Sequence, residues 1–183
     1  MVFLFLQMSF LNVEIKARCQ HLDFIRNYLL QHAATFIGVD HQTDTYFNVN
    51  NGRLKLREGN IETNLIFYTR ENKAGPKNSH FQLMAIEDSI GLKNILTAAN
   101  GIKIVVHKKR EIYFIENVKF HIDDLPELGS FIEIEAGNKS ATKTKEELLQ
   151  QCKFYLKEFK VQEQDLVANS YSDLLMERQG IIL

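Results

Sequence analysis

The residues of this 183-residue chain best suited to chemistry are charged side chains spaced two apart. The acids are Glu14, Glu133 and Glu135, with Asn12 two residues before Glu14. In an extended strand, positions i and i+2 point to the same face. Asn12 with Glu14, and Glu133 with Glu135, therefore form two short rows of oxygen donors. Such rows suit a hard divalent cation such as Mg2+, which keeps waters and substrate phosphate oxygens in its shell.

The bases follow the same rule. Lys16, Arg53, Lys55, Arg57, Arg70, Lys108, Arg110 and Lys119 all fall at polar positions of alternating segments. Like charges side by side repel unless a counter-charge is present. If these strands share one lumen, its natural occupant is a polyanion, gripped by arginine forks and lysine point charges. Ion pairing between these acids and bases is the competing account of the same pattern. His121, on the polar face with Lys119, suits either general acid–base chemistry or a hydrogen-bonded filler role. Gly101-Ile-Lys-Ile lacks P-loop spacing, so phosphate binding falls to side chains.

The elements that must position these groups are mostly strands. Alternation marks 12–18, 36–39, 43–49, 53–57, 62–71, 79–87, 102–115, 118–124 and 130–136 as extended. Asn50-Asn51-Gly52 reads as a hairpin turn. Residues 72–78 form a basic, turn-rich loop, and 137–142 a linker. Helical periodicity covers 21–34. A second helix runs to Asn100, capped by Asp88 or Ser89, with Ile90, Leu92, Ile95, Leu96 and Ala99 as its apolar face. A third covers 144–160 behind the capping box Thr144-Lys-Glu-Glu147, and a short one covers 169–175. The expected fold is α+β: about eight antiparallel strands in a barrel, charged faces toward a wet tunnel, helices packed outside.

Length fits one domain spanning 1–183. Charged residues at 25% and hydrophobic residues at 45% describe a folded globular chain rather than a disordered one. The net charge of −1 argues against nucleic acid as partner, so any basic site must come from local segregation of charge. Cys19 and Cys152 fit no metal spacing and read as reduced thiols. The apolar run Met1–Phe10 lacks the features of a signal peptide and is too short to span a bilayer. It reads as an extra or disordered segment (residues 1–8), with Met8 as a candidate start. A cytoplasmic protein without membrane attachment is expected.

In combination these segments resemble the CYTH superfamily, the triphosphate tunnel metalloenzymes, and are most similar to its class IV adenylate cyclase group. The resemblance covers about residues 10–175. It rests on Asn12-Val-Glu-Ile-Lys16, Asp44-Thr-Tyr-Phe47, Gly52-Arg-Leu-Lys-Leu-Arg57, Leu65 to Arg70, Gly75-Pro-Lys-Asn-Ser79, Val106-His-Lys-Lys-Arg110, Lys119-Phe-His-Ile-Asp123, Leu128 to Glu135 and Ser170-Tyr-Ser-Asp-Leu-Leu175.

It implies an eight-stranded tunnel that binds a triphosphate with Mg2+ or Mn2+ held by Glu14, Glu133 and Glu135. It implies phosphate contacts from Lys16, Arg53, Lys55, Arg57, Arg70, Lys77, Lys108, Arg110 and Lys119, with Lys16, Arg57, Arg110 and Asp123 catalytic. The implied reaction converts ATP to cyclic AMP and pyrophosphate. Hydrolysis of tripolyphosphate, thiamine triphosphate or a nucleotide is the alternative, and binding without turnover a further one. The family signature is Glu-x-Glu-x-Lys, and Asn12 replaces its first Glu. One negative charge is lost, and weaker binding of at least one metal is expected. A homodimer is left open.

Overall fold

In the computed structural model, which describes residues 11–69, 75, 77–138 and 142–181 (side chains of 77–81 excepted), the alternating segments become eight strands. They are β1 (Asn12–Arg18), β2 (Thr35–Phe47), β3 (Arg53–Glu58), β4 (Asn64–Thr69), β5 (Lys77–Ala85), β6 (Ile102–Ile115), β7 (Val118–Leu125) and β8 (Gly129–Gly137). The helices are α1 (Leu22–Gln31), α2 (Ser89–Asn100), α3 (Lys145–Glu158) and α4 (Tyr171–Arg178), with a 3-10 turn at Glu163–Asp165.

Every pairing is antiparallel, and the ring closes in the order β1-β5-β4-β3-β2-β6-β7-β8. β1 closes it, pairing with β8 from Asn12↔Gly137 to Arg18↔Phe131 and with β5 from Asn12↔Ser79 to Glu14↔Lys77. The extended stretches 36–39 and 43–49 merge into one 13-residue strand. A register shift between Phe36 and Gly38 bends β2 instead of ending it, and Gly38, at φ +143°, takes up the distortion. At the β2–β3 turn, Gly52 has φ +66°, and a Cβ there would lie 2.8 Å from the Tyr68 carbonyl oxygen.

Alternation separates two environments. The outer faces of β1, β7 and β8 carry Val13, Ile15, Ala17, Phe120, Ile122, Ile132, Ile134 and Ala136, all buried. They are covered by Ile25 and Leu29 of α1 and by Leu148, Cys152 and Phe159 in and beyond α3. The Phe120 ring meets Tyr155 edge-on at 4.7 Å and Phe159 at 5.7 Å. Burial of each Val, Leu, Ile or Phe side chain here stabilises the fold by about 1.5–3 kcal/mol. The Thr144–Glu147 capping box forms as its sequence dictates.

Two helices depart from the expected pattern. α2 is capped by Asp88, which accepts from the Gly91 N–H at 2.9 Å. It buries none of its residues, and Ile90 and Ile95 are exposed while Leu92 and Leu96 are half-buried. α4 packs against the inner surface. Its Tyr171, Leu175 and Met176 join Tyr46, Ile66, Tyr68, Ile104, Val106, Leu125 and Phe131, so this part of the lumen is apolar rather than wet. Among the described residues no helix is long and apolar enough to cross a membrane.

Candidate functional site in the barrel lumen

Register assembles the charged positions into rows across the inner surface. Glu14 stands opposite Glu135, and Glu135 opposite Lys119. Lys16 stands opposite Glu133, and Glu133 opposite His121. Asp123 stands opposite Arg110, and Arg110 opposite Asp40. Asp44 stands opposite Arg57. These side chains lie on the face opposite the apolar residues under α1 and α3, as period-two alternation requires.

On the β2–β3–β6 wall one carboxylate gathers three cations. Asp44 accepts from Lys55 Nζ at 2.9 Å, from Lys108 Nζ at 2.7 Å, and from Arg57 Nε and Nη2 at 2.9 and 3.1 Å. Burial alone would raise the Asp44 pKa, but Arg57, Lys108 and Lys55 outweigh it and hold the carboxyl well below the usual range. Arg57 also donates through Nη1 to Glu62 at 3.2 Å, and Lys119 donates to Glu62 at 2.7 Å. Lys55 lies beside the rings of Tyr46 and Tyr68.

On the β1–β7–β8 wall the acids predominate. Arg110 forks onto Asp123, with Nε and Nη2 each at 2.6 Å, and reaches Glu133 through Nη2 at 2.9 Å. Glu133 also faces Lys16 at 3.6 Å and His121 Nδ1 at 3.4 Å. Burial, Arg110 and Lys119 push His121 down to about 3, so its imidazole is neutral at neutral pH. Glu135 accepts a hydrogen bond from the Asn12 amide. Burial, reinforced by Glu14 and Glu133 against the pull of Lys119, pushes the Glu135 carboxyl up to about 7. Residues directly opposite on paired strands have Cβ atoms ~5 Å apart, so Glu14 and Glu135 are near neighbours.

That pair, with the Glu135 carboxyl held up in pKa by burial and by two neighbouring acids, fits a hard divalent cation that completes its shell with water and phosphate oxygens. Glu133, the third residue of the expected metal set, faces Lys16, Arg110 and His121. Among the described residues no three His, Cys, Asp or Glu side chains converge on one point.

Lys16, Lys55, Arg57, Lys108, Arg110 and Asp123 are buried, and Lys119 is half-buried among them. Arg53 points to α4 instead and binds Asp173 at 2.8 Å. Lys77 is placed in β5 opposite Glu14 by register, but its side chain, like all of Arg70, lies outside the described residues. The competing account, pairing of acids with bases, is present too: Glu133 pairs with Lys16 and Arg110, and further partners enter that the spacing did not suggest. Of these, Asp44 shares strand parity with Gln42 and Tyr46, which was a readable signal. Glu62 precedes β4 in irregular chain and carries no periodic signal. Tyr171 donates to Asp123 at 2.7 Å, and its ring lies 3.9 Å from Lys16 Nζ. Its place follows from packing distant in sequence.

A family model described as the CYTH domain matches residues 11–171. A search of curated proteins returns no match. Among solved structures, the PH1012 protein of Pyrococcus horikoshii OT3 is similar at TM-score 0.77 and 21% identity, covering 91% of this chain and 99% of that one. A candidate adenylate cyclase from Vibrio parahaemolyticus is similar at TM-score 0.73 and 18% identity, covering 92% and 99%. HpAC1 from Hippeastrum, a candidate adenylyl cyclase reported with a dominant triphosphatase activity, is similar at TM-score 0.65 and 14% identity, covering 96% and 98%. At these identities the likeness is one of fold.

Proposed function

The chain belongs to the CYTH domain family, and from that premise we propose that it is a metal-dependent enzyme that processes a triphosphate in the barrel lumen. One observation carries this reading. A cation-bearing wall of Lys55, Arg57 and Lys108 and an acid-bearing wall with Glu14 and Glu135 belong to the same lumen. A polyphosphate complements the first wall and a divalent cation the second.

In this reading Lys55, Arg57, Lys108 and Lys119 bind and orient the phosphate chain. Arg110, held by Asp123, and Lys16, held over Tyr171, present positive charge where negative charge develops as a phosphoryl bond breaks. Glu14 and Glu135 would hold Mg2+ or Mn2+, and the bound ion supplies Lewis-acid stabilisation and a more acidic nucleophile. Asn12 contributes a neutral amide rather than a third charge.

The sequence resemblance to class IV cyclases makes ATP the first substrate. The ribose 3′ hydroxyl would give its proton to water and its oxygen would bond to the α-phosphorus as the bond from that phosphorus to the α–β bridging oxygen breaks, giving cyclic AMP and pyrophosphate. Hydrolysis of tripolyphosphate, thiamine triphosphate or a nucleoside triphosphate is the second reading. One observation favours it: Tyr171, Leu175 and Met176 occupy the apolar part of the lumen, where aromatic residues could otherwise have stacked a nucleobase.

The test is incubation of purified protein with Mg2+ or Mn2+ and each triphosphate, with products identified by mass. Cyclic AMP with pyrophosphate identifies the cyclase, and orthophosphate the hydrolase. Tight binding with neither product makes the protein a non-catalytic binder. No binding of any triphosphate overturns the proposal.

A further inference from the structure

Asp44 stands apart from the acids suited to metal. It comes from the middle of β2, is 1% exposed, and spends both oxygens on cations from the two flanking strands: Lys55 and Arg57 of β3 and Lys108 of β6. We propose that Asp44 is a positioning residue, one carboxylate that sets Lys55, Arg57 and Lys108 as a fixed trio on the wall that meets the phosphate chain. This rests on the triphosphate reading above.

The donor inventory supports positioning over competition with substrate. An ammonium group has three N–H donors. Lys55 and Lys108 each give one to Asp44 Oδ2, at 2.9 and 2.7 Å. Lys55, whose side chain is 11% accessible, can thus engage a phosphate oxygen without leaving the anchor, while Lys108, at 0%, contributes its charge from within the wall. Without the carboxylate, three buried cations would face one another with mutual repulsion.

Lys108 is the most exposed to that change in charge, though the most buried of the three, with a side chain at 0% accessibility. The groups that face it are Asp44 from β2, Lys55 and Arg57 from β3, and Arg110 from its own strand. Asp123 of β7 is occupied by Arg110, and the α4 hydroxyl of Tyr171 is on Asp123. Burial, with Arg57, Arg110 and Lys55, already lowers the Lys108 pKa well below its ordinary value, and Asp44 is the group that opposes the fall. Removing the Asp44 charge therefore lets Lys108 lose its proton at a lower pH, and one cation of the trio disappears as pH rises.

The experiment is calorimetric binding of metal-free tripolyphosphate to wild type, Asp44→Asn and Asp44→Asn/Lys108→Met between pH 6.5 and 9. The quantity read is the ratio of variant to wild-type Kd, which cancels the titration of the ligand. For Asp44→Asn the ratio is expected to reach about tenfold or more at pH 9 and to narrow markedly toward pH 6.5. For the double variant it should be flat. A flat ratio for Asp44→Asn, or tighter binding than wild type, overturns the positioning role, because a merely structural role changes affinity or melting temperature without changing the pH slope.

Should Asp44→Asn fail to fold, the 15N resonance of the Lys108 ammonium in wild type decides the matter. A group protonated through neutral pH supports the trio, and one that titrates below pH 7 overturns it. Wild type that binds no tripolyphosphate overturns the triphosphate reading itself. Wild type that binds, with a flat ratio, overturns only the role of Asp44.

Discussion

The β2–β3–β6 wall and the β1–β7–β8 wall line the same lumen, yet one buried carboxylate of the first, Asp44, and one of the second, Glu135, behave oppositely. Asp44 is held well below the ordinary range, and Glu135 is pushed up to about 7. Burial raises both. The difference lies in the neighbours: three cations touch Asp44, whereas Glu14 and Glu133 oppose the ionisation of Glu135 against the pull of Lys119 and Arg110. Depth in the barrel alone therefore does not set charge state. The identity of the cross-strand partner does, and register chooses that partner. The first wall has more positive charge than its own acid can neutralise, and the second has more negative charge than its bases can. Each lacks what the other kind of ligand brings.

The contrast can be broken or sharpened by substitution. The largest effect is expected at Arg110, which supplies the acid-bearing wall with much of its positive charge. Arg110→Leu leaves Asp123 and Glu133 buried without their shared fork, and should cost about 3–5 kcal/mol of stability by urea unfolding. A loss below ~1 kcal/mol would mean that Tyr171, Lys16 and His121 suffice for those acids.

Next comes Glu135. Its folded pKa lies above its unfolded value, so its contribution to stability is complete below about pH 4.5 and is lost as pH rises through about 7. Glu135→Gln removes that dependence. In metal-free buffer the stability of wild type relative to the variant should fall by about 3 kcal/mol between pH 4.5 and 8. Mn2+ at pH 8 should restore wild type and leave the variant nearly unchanged. Parallel pH profiles for the two proteins would show that Glu135 ionises freely.

The smallest effect is expected at Arg57. Arg57→Ala should weaken metal-free tripolyphosphate binding by about 1–3 kcal/mol, the range of a lost charge-assisted contact, while Glu135→Gln should not weaken it. Equal losses in both variants would erase the distinction between the walls.

The outer core was legible before any coordinates. Leu11, Val13, Ile15 and Ala17 alternate with Asn12, Glu14, Lys16 and Arg18, and a strand can bury only one such face in an apolar core. The capping box of α3 was equally plain, because its partners are three residues apart. The two expected stretches joined into β2 because Asp40, His41 and Gln42 between them pair with Arg110, Lys109 and Lys108 of β6, and the apolar positions Ile90 and Ile95 of α2 stayed exposed because periodicity does not say whether a partner surface is near.

Sequence alone determined which residues share a face, and hence that Lys55 and Arg57, or Glu133 and Glu135, must act together. That follows from covalent geometry, since successive Cβ atoms alternate whatever the rest of the chain does. Only the tertiary structure decided which faces meet: Glu14 beside Glu135, Asp44 beneath Lys55, Arg57 and Lys108, Arg53 drawn to Asp173, and Tyr171 of α4 inside the barrel on Asp123. Those neighbours are set by strand register and by how the ring closes. Both depend on packing between segments distant in sequence, so no local spacing encodes them.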